Sequence, residues 1–600
     1  MRQRKQPRFQ LVLLALAFVF CMFTSHANVA SAASTTKDTK KPTITLTIKD
    51  TTPTNSTVKV TFKATDASGI KNVKWAKGDQ KTSYFTKNGT TVKLSKSSCT
   101  VSIKENGTYT FYAIDKAGNT KIKKLEINII DKKAPTVSLK SSVMNQAATI
   151  KVSSKDDSGI ASVQYIKGKV TDVASEKWTT KAKNVSNLKS FTVKTDRTYS
   201  VKVIDKAGNA TIKTISVTLE MRAMWISYLE FKTTGYTEEQ FKAKIDEMFD
   251  NSVDLNMNTV IVQVRPFSDA LYPSKYFPWS KYVSGTQGKD PGYDPLKYMV
   301  DAAHERGLEF HAWINPYRVT LQSGDYSALS EDNPARMWYE DDDTTKNRNV
   351  LSFDTDGDKK PNIYYNPAST AAQNLIVNGV KEIVENYDVD GIHFDDYFYP
   401  NLGSKYQTTF DNIEYNAYVS KTIDSGKKPN TIDVWRRNNV NTLVKKVYAA
   451  IKDIDSSVQF GISPAGNPVN LYLTQGNYVD VETWMASDKY IDYICPQLYW
   501  SFENTYTDKN TGFSAAYDKA LDYWLSLRTS STVNMYVGIP TYRAGSSVEA
   551  EWKENDDVLQ RMVEYGRSTG EVDGYFFFRY DFFFKDVTQA EVENLMSILD

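Results

Sequence analysis

The sequence predicts a multidomain chain in which two small all-β sandwiches precede an α/β barrel of eight β/α units. Three observations predict it. Two turn motifs recur at one offset of 90 residues: Asp66-Ala67-Ser68-Gly69-Ile70 returns as Asp156-Asp157-Ser158-Gly159-Ile160, and Asp115-Lys116-Ala117-Gly118-Asn119 as Asp205-Lys206-Ala207-Gly208-Asn209. From about residue 220, apolar strands alternate with amphipathic helices, eight times in 381 residues. The charge balance reverses at the same boundary: residues 33–219 carry 34 basic against 14 acidic side chains, residues 220–600 carry 36 against 57. The overall balance of 74 to 71 therefore hides a basic module joined to an acidic one.

The chain begins as a secretory signal would. Arg2, Arg4, Lys5 and Arg8 precede an apolar core from Leu11 to Phe23, and Ala30-Ser31-Ala32 offers a cleavage site. That core is too short for a membrane span, which needs about 20 apolar residues. Residues 1–32 are thus read as a signal peptide and 33–41 as a linker. The mature protein is expected to be secreted or associated with the cell wall, with no transmembrane span. Only Cys99 and Cys495 follow the cleavage site, and an exported chain without a disulfide framework suits a bacterium, here a Gram-positive one. With 40% hydrophobic and 12% aromatic residues, wholesale disorder is excluded.

Within 42–130 and 131–219, short alternating segments such as Val58 to Phe62 and Thr110 to Ile114 read as strands separated by turns. The Asp-x-x-Gly motifs resemble those of bacterial immunoglobulin-like repeats, and their Asp and Asn residues are read as turn formers rather than calcium ligands. Residues 220–600 form the barrel, with strands expected at 221–226, 259–264, 308–313, 389–394, 458–462, 491–495, 535–539 and 574–578. Helices are expected at 237–251, 294–306 and 370–386. About 250 residues suffice for such a barrel, so the surplus builds loops over the catalytic face, at the C-terminal ends of the strands.

Those ends carry the chemistry. On the fourth strand, period two turns Gly391, His393 and Asp395 toward the axis, with Asp396 beside them where strand becomes loop. Adjacent carboxylates raise each other's pKa, so one can remain protonated as an acid while the other stays charged. Glycosidic bond cleavage needs that division of labour. Aromatic residues crowd the same ends, Trp225, Trp313, Tyr317, Tyr397, Tyr499 and Trp500 among them, and sugar rings stack their C–H faces on such rings.

Six stretches in order, QVRPFSDALY (263–272), PGYDPL (291–296), HERGLEFHAWINPYR (304–318), DGIHFDDYFYP (390–400), WRRNNVN (435–441) and PQLYW (496–500), resemble the glycosyl-hydrolase-like 10 family of bacterial envelope proteins. The resemblance implies a TIM-like barrel glycosidase acting on envelope polysaccharide, with peptidoglycan glycan strands the leading candidate, and it makes the Asp395-Asp396 pair central. Asp395 either orients a 2-acetamido group, with Asp396 as general acid, or acts as nucleophile or base with the acid drawn from another strand. For that second carboxylate the candidates are Glu482 and Asp269. Substrate binding is assigned to Arg265, Asp269, Trp313, Asn315, Tyr317, Arg318, His393, Tyr397, Arg436, Tyr499 and Trp500.

No cofactor and no metal are expected. Two rivals stand beside this reading: a metal-dependent barrel hydrolase using His393 and Asp395, and a non-catalytic glycan-binding surface protein. The basic repeats are read either as a dock for anionic wall polymers or as a spacer, and nucleic acid is not an expected partner.

Overall fold

A computed structural model describes residues 37–599, apart from 145–146, 195–196, 232–235, 354–360, 401, 469–470 and 472–476. The signal-peptide reading of residues 1–32 lies outside the described residues. The chain divides into two compact units, residues 1–131 and 132–600.

In the first unit, strands Thr43–Ile48, Val58–Thr65 and Ser98–Ile103 form one antiparallel sheet. Thr90–Val92, Ile70–Lys77, Gly107–Asp115 and Thr120–Ile127 form a second. Their inward residues, Val60 and Phe62 from one sheet and Val73 and Phe111 from the other, share one core, as a β-sandwich requires. The recurrent motifs close its turns. Asp66 Oδ1 accepts the backbone N–H of Ser68 at 2.9 Å, and Asp115 accepts both the backbone and side-chain N–H of Asn119.

The second unit opens with the same sheets in the same strand order: Ser190–Val193, Ala147–Lys155 and Thr136–Met144, facing Lys183–Asn184, Ile160–Lys167, Arg197–Asp205 and Ala210–Val217. The 90-residue offset is therefore a repeat of topology as well as of motif.

Residues 221–577 contribute a closed parallel barrel: β1 (Met221–Ile226), β2 (Thr259–Arg265), β3 (Glu309–Ile314), β4 (Gly391–Phe394), β5 (Gln459–Ile462), β6 (Tyr493–Ile494), β7 (Asn534–Ile539) and β8 (Gly574–Phe577). Neighbours pair in sequence order and β8 closes on β1. Each strand falls within two residues of its expected start. The alternation is visible in the packing: Ala223 and Trp225 point to the axis, where they meet Ile261, Trp313, Tyr493 and Phe576. Met224 and Ile226 point to the helix layer. The helices begin where their caps dictate. Thr237 and Gln240 form a capping box on Glu238–Asp254, Asp294 caps Pro295–Glu305 with proline at its first turn, and Ser369 caps Thr370–Asn386. No described helix is long and apolar enough to cross a membrane.

The second sandwich packs on the N-terminal floor of the barrel, and charge joins them. Arg197 Nη2 lies 2.7 Å from Glu309 Oε2 at the start of β3. Lys167 bonds Asp390, just before β4. Lys177 and Lys181 reach Asp455 at 3.0 and 3.3 Å. Part of the basic charge of the repeats is thus neutralised within the chain.

Candidate active site

At the opposite end of the barrel lies a cleft of about 230 Å³. It collects Trp225 on β1 and Ser227 after it, Gln263 on β2, Trp313 on β3 and Arg318 after it, and His393 on β4 with Asp395, Asp396 and Tyr397 after it. Ser463, Gln497, Tyr499 and Phe578 join it after β5, β6 and β8, and Tyr228, Leu229 and Leu321 line it from the loops after β1 and β3.

Asp395 is 4% exposed. Its Oδ2 accepts the Trp313 indole N–H at 3.1 Å, and its Oδ1 accepts the Tyr397 backbone N–H at 3.3 Å. Burial, and then the charge of Asp396, push its carboxyl well above the usual carboxylate range, with Arg318 opposing them. Burial pushes the part-exposed Asp396 up to about 6, against its own backbone N–H and Arg318. Two such neighbouring groups titrate as a coupled pair rather than independently.

Arg318 sits 4.2 Å from the Tyr397 ring and 4.7 Å from the Phe267 ring, clamped between two π-faces. Its Nε donates to the carbonyl of Pro266 at 3.3 Å. The cleft thus presents a fixed cation beside a pair of adjacent carboxyls with raised pKa. Its walls are aromatic: Tyr499 stacks on Phe578 at 5.9 Å, and Trp313 and the exposed ring of Tyr397 line it with them.

His393 is wholly buried, and both its ring nitrogens are occupied. Nε2 lies 3.3 Å from the Trp225 indole nitrogen and Nδ1 lies 3.0 Å from the Tyr493 hydroxyl. Burial and the neighbouring His311 hold its pKa well below that of a free imidazole. Neither nitrogen is available to ligate a metal in this arrangement.

Of the residues expected at the site, Asp395, Asp396, Trp313, Arg318, His393, Tyr397 and Tyr499 line the cleft. Asn315 stands directly behind its wall, its Oδ1 accepting from Trp313 at 3.1 Å and from the cleft-lining Gln263 at 3.2 Å. The placement of the other expected residues is corrected by the structure. Alternation would aim Arg265 at the axis, but the register with β3 shifts between Gln263 and Arg265. After that irregularity Arg265 turns into the helix layer, 4.2 Å from the Phe277 ring and against Gly379.

Asp269 is buried in the following loop, where its Oδ2 accepts from Gln287 at 3.0 Å and burial raises its carboxyl to about 6. Tyr317 packs in the outer core. Arg436 is spent on Asp411, 3.0 Å from Oδ2, and on the Tyr478 hydroxyl at 2.8 Å. Trp500 packs edge-on to Phe513. Glu482 is exposed on the short helix Val481–Met485, outside the cleft lining. Gln263, Ser463, Gln497 and Phe578 join the cleft without being among the expected binding residues. Gln497 and Phe578 sit in strand-end segments rich in aromatic residues, so their positions are a usable signal; Ser463 carries none.

Residues 220–554 match the model of the glycosyl hydrolase-like 10 family. The chain belongs to that family. Among its relatives, glycosyl hydrolase YngK of Bacillus subtilis is 36% identical over 367 residues, covering 57% of this chain and 65% of its own length. Glycosyl hydrolase DigH of Escherichia coli K12 is 34% identical over 387 residues, covering 61% of this chain and 81% of its own. The chain therefore spans somewhat less than two thirds of YngK. The family match leaves both repeats, residues 42–219, outside it. Among solved structures, the PgaB (BpsB) glycoside hydrolase domain from Bordetella bronchiseptica aligns with a TM-score of 0.41 at 13% identity, covering 64% of this chain and 99% of that domain. A likeness of that size decides nothing about function. Family membership singles out the barrel, and the cleft at its C-terminal end is where the Asp395-Asp396 pair stands.

Proposed function

We propose that this protein is an exported bacterial glycoside hydrolase that cleaves envelope polysaccharide, with peptidoglycan glycan strands as its leading substrate. The observation that carries the proposal is the pair of consecutive carboxylates, both with raised pKa, in an aromatic-walled cleft at the C-terminal end of the barrel. Membership of a glycosyl hydrolase-like family and relatives named glycosyl hydrolases support it.

In this reading Asp396, nearer the solvent, donates a proton to the glycosidic oxygen as the bond to the leaving sugar breaks. Asp395, held by two N–H donors, orients a 2-acetamido group or attacks the anomeric carbon, and a water that gives its proton to the now ionised Asp396 then opens the intermediate. Arg318 offsets the charge left on the pair. The indole and phenol rings stack the sugar faces while Gln263 and Gln497 bond hydroxyls.

Digestion of purified glycan strands, with and without stem peptides, tests it. Reducing ends are expected with wild type, and Asp395→Asn and Asp396→Asn are each expected to lose about 10²–10⁴-fold in rate. Full activity in both variants refutes the site. Binding of strands by the wild type without turnover refutes hydrolysis and makes the barrel a glycan-binding module.

The unneutralised basic side chains of the repeats dock the enzyme on anionic wall polymers. Wall binding by the whole chain is then expected to weaken as salt rises, and binding insensitive to salt overturns the docking role.

A further inference from the structure

The interior of the barrel holds a line of polar side chains that the proposed chemistry does not use. Below His393 lie Tyr493 on β6 and His311 on β3, both wholly buried. The Tyr493 hydroxyl is 3.0 Å from Nδ1 of His393 and 3.0 Å from Nδ1 of His311. At the cleft, the Trp225 indole nitrogen is 3.3 Å from Nε2 of His393. At the floor, Nε2 of His311 is 3.7 Å from Oε2 of Glu309, the carboxylate that Arg197 of the second sandwich holds at 2.7 Å. Two glycines on axis-facing positions make the room. A Cβ on Gly391 would lie 2.6 Å from Nδ1 of His311, and one on Gly461 would lie 2.0 Å from the Tyr493 ring.

Donor and acceptor rules fix the direction of this line at its cleft end. An indole N–H can only donate, so Nε2 of His393 accepts and carries no proton. Its proton is then on Nδ1 and points at the Tyr493 oxygen. That hydroxyl, having accepted, has Nδ1 of His311 at 3.0 Å as the group to receive its own proton, and the relay places it there. The His311 proton is left on Nε2, facing Glu309. A doubly protonated His393 would set two N–H groups against each other at Trp225, so the geometry itself selects the neutral ring.

We propose that Trp225, His393, Tyr493 and His311 form a polarised hydrogen-bond relay along the barrel axis, with the Glu309 carboxylate facing its lower end, that locks the His393 tautomer and so holds Trp225 in the cleft wall. Tyr493 and His311 are positioning residues, and Arg197 of the second sandwich fixes the carboxylate that His311 faces. The proton positions follow from the ring geometry alone; the effect on glycan binding rests on the glycoside hydrolase reading.

Neutron diffraction from deuterium-exchanged crystals of the protein tests the relay directly. Deuterium is expected on Nδ1 of His393 and on Nε2 of His311, with none on Nε2 of His393. Deuterium on Nε2 of His393, or on Nδ1 of His311, overturns it whether or not the protein cleaves glycan. Tyr493→Phe, which keeps the ring and removes the hydroxyl, tests the consequence. With glycan strands as substrate, KM is expected to rise about threefold to tenfold with kcat within about twofold, because Trp225 is freed while the carboxylates stay in place. An unchanged KM, even with a lowered melting temperature, overturns the positioning role and leaves Tyr493 a packing residue.

Discussion

Replacing Asp396 with asparagine tests whether the cleft holds its carboxylate pair against the pair's own charge. Burial raises the Asp396 carboxyl from 3.8 to about 6, and each tenfold gain in proton affinity is worth about 1.4 kcal/mol. The folded chain therefore binds this proton more tightly than the unfolded chain. Stability from that proton is fully present below the unfolded value near 4 and is lost as pH rises through about 6. At pH 8 the ionised pair opposes folding by about 3 kcal/mol at most. Partial exposure and the coupling to Asp395 reduce the expected figure to about 1–2 kcal/mol. Asparagine keeps the side-chain size and carries no charge. Asp396→Asn should therefore melt above wild type at pH 8, with the difference closing by pH 4. Thermal unfolding at pH 4, 6 and 8, followed by tryptophan fluorescence, measures this. A difference that does not vary with pH, or a variant less stable than wild type at pH 8, refutes the argument.

Two further substitutions extend the test. Burial opposes ionisation of Asp390, yet the Lys167 charge and the His304 hydrogen bond hold its carboxyl far below the usual range. That stability is present above pH 4 and is lost as pH falls further. Lys167→Met should lower stability at pH 7 by about 3–5 kcal/mol in denaturant unfolding, and adding Asp390→Asn should recover most of it; equal stability of the single and double variants contradicts the ion pair. Trp313→Phe removes the N–H that favours ionised Asp395. Its kcat/KM on glycan strands should fall at least tenfold, about 1.4 kcal/mol, and the acid limb of its pH–rate profile should move to higher pH; an unmoved limb contradicts the contact.

The repeat, the eight strands and the carboxylate pair are legible in the amino-acid order, because each is written in local periodicity. Alternation through Gly391, His393 and Asp395 places them on the axis, and the signs of charge separate the modules. The partners are not legible there; packing settles them. One register shift between Gln263 and Arg265 carries an arginine out of the cleft and leaves a glutamine in it. Arg436 reads as a substrate contact until Asp411, 25 residues earlier, is seen to occupy it. Likewise, four basic side chains of the second sandwich find acidic partners on the barrel floor more than 100 residues away. Periodicity dictates which face a side chain takes within its own strand or helix. The group it meets there depends on register, bulges and loop return, which are set by packing across distant segments of the chain.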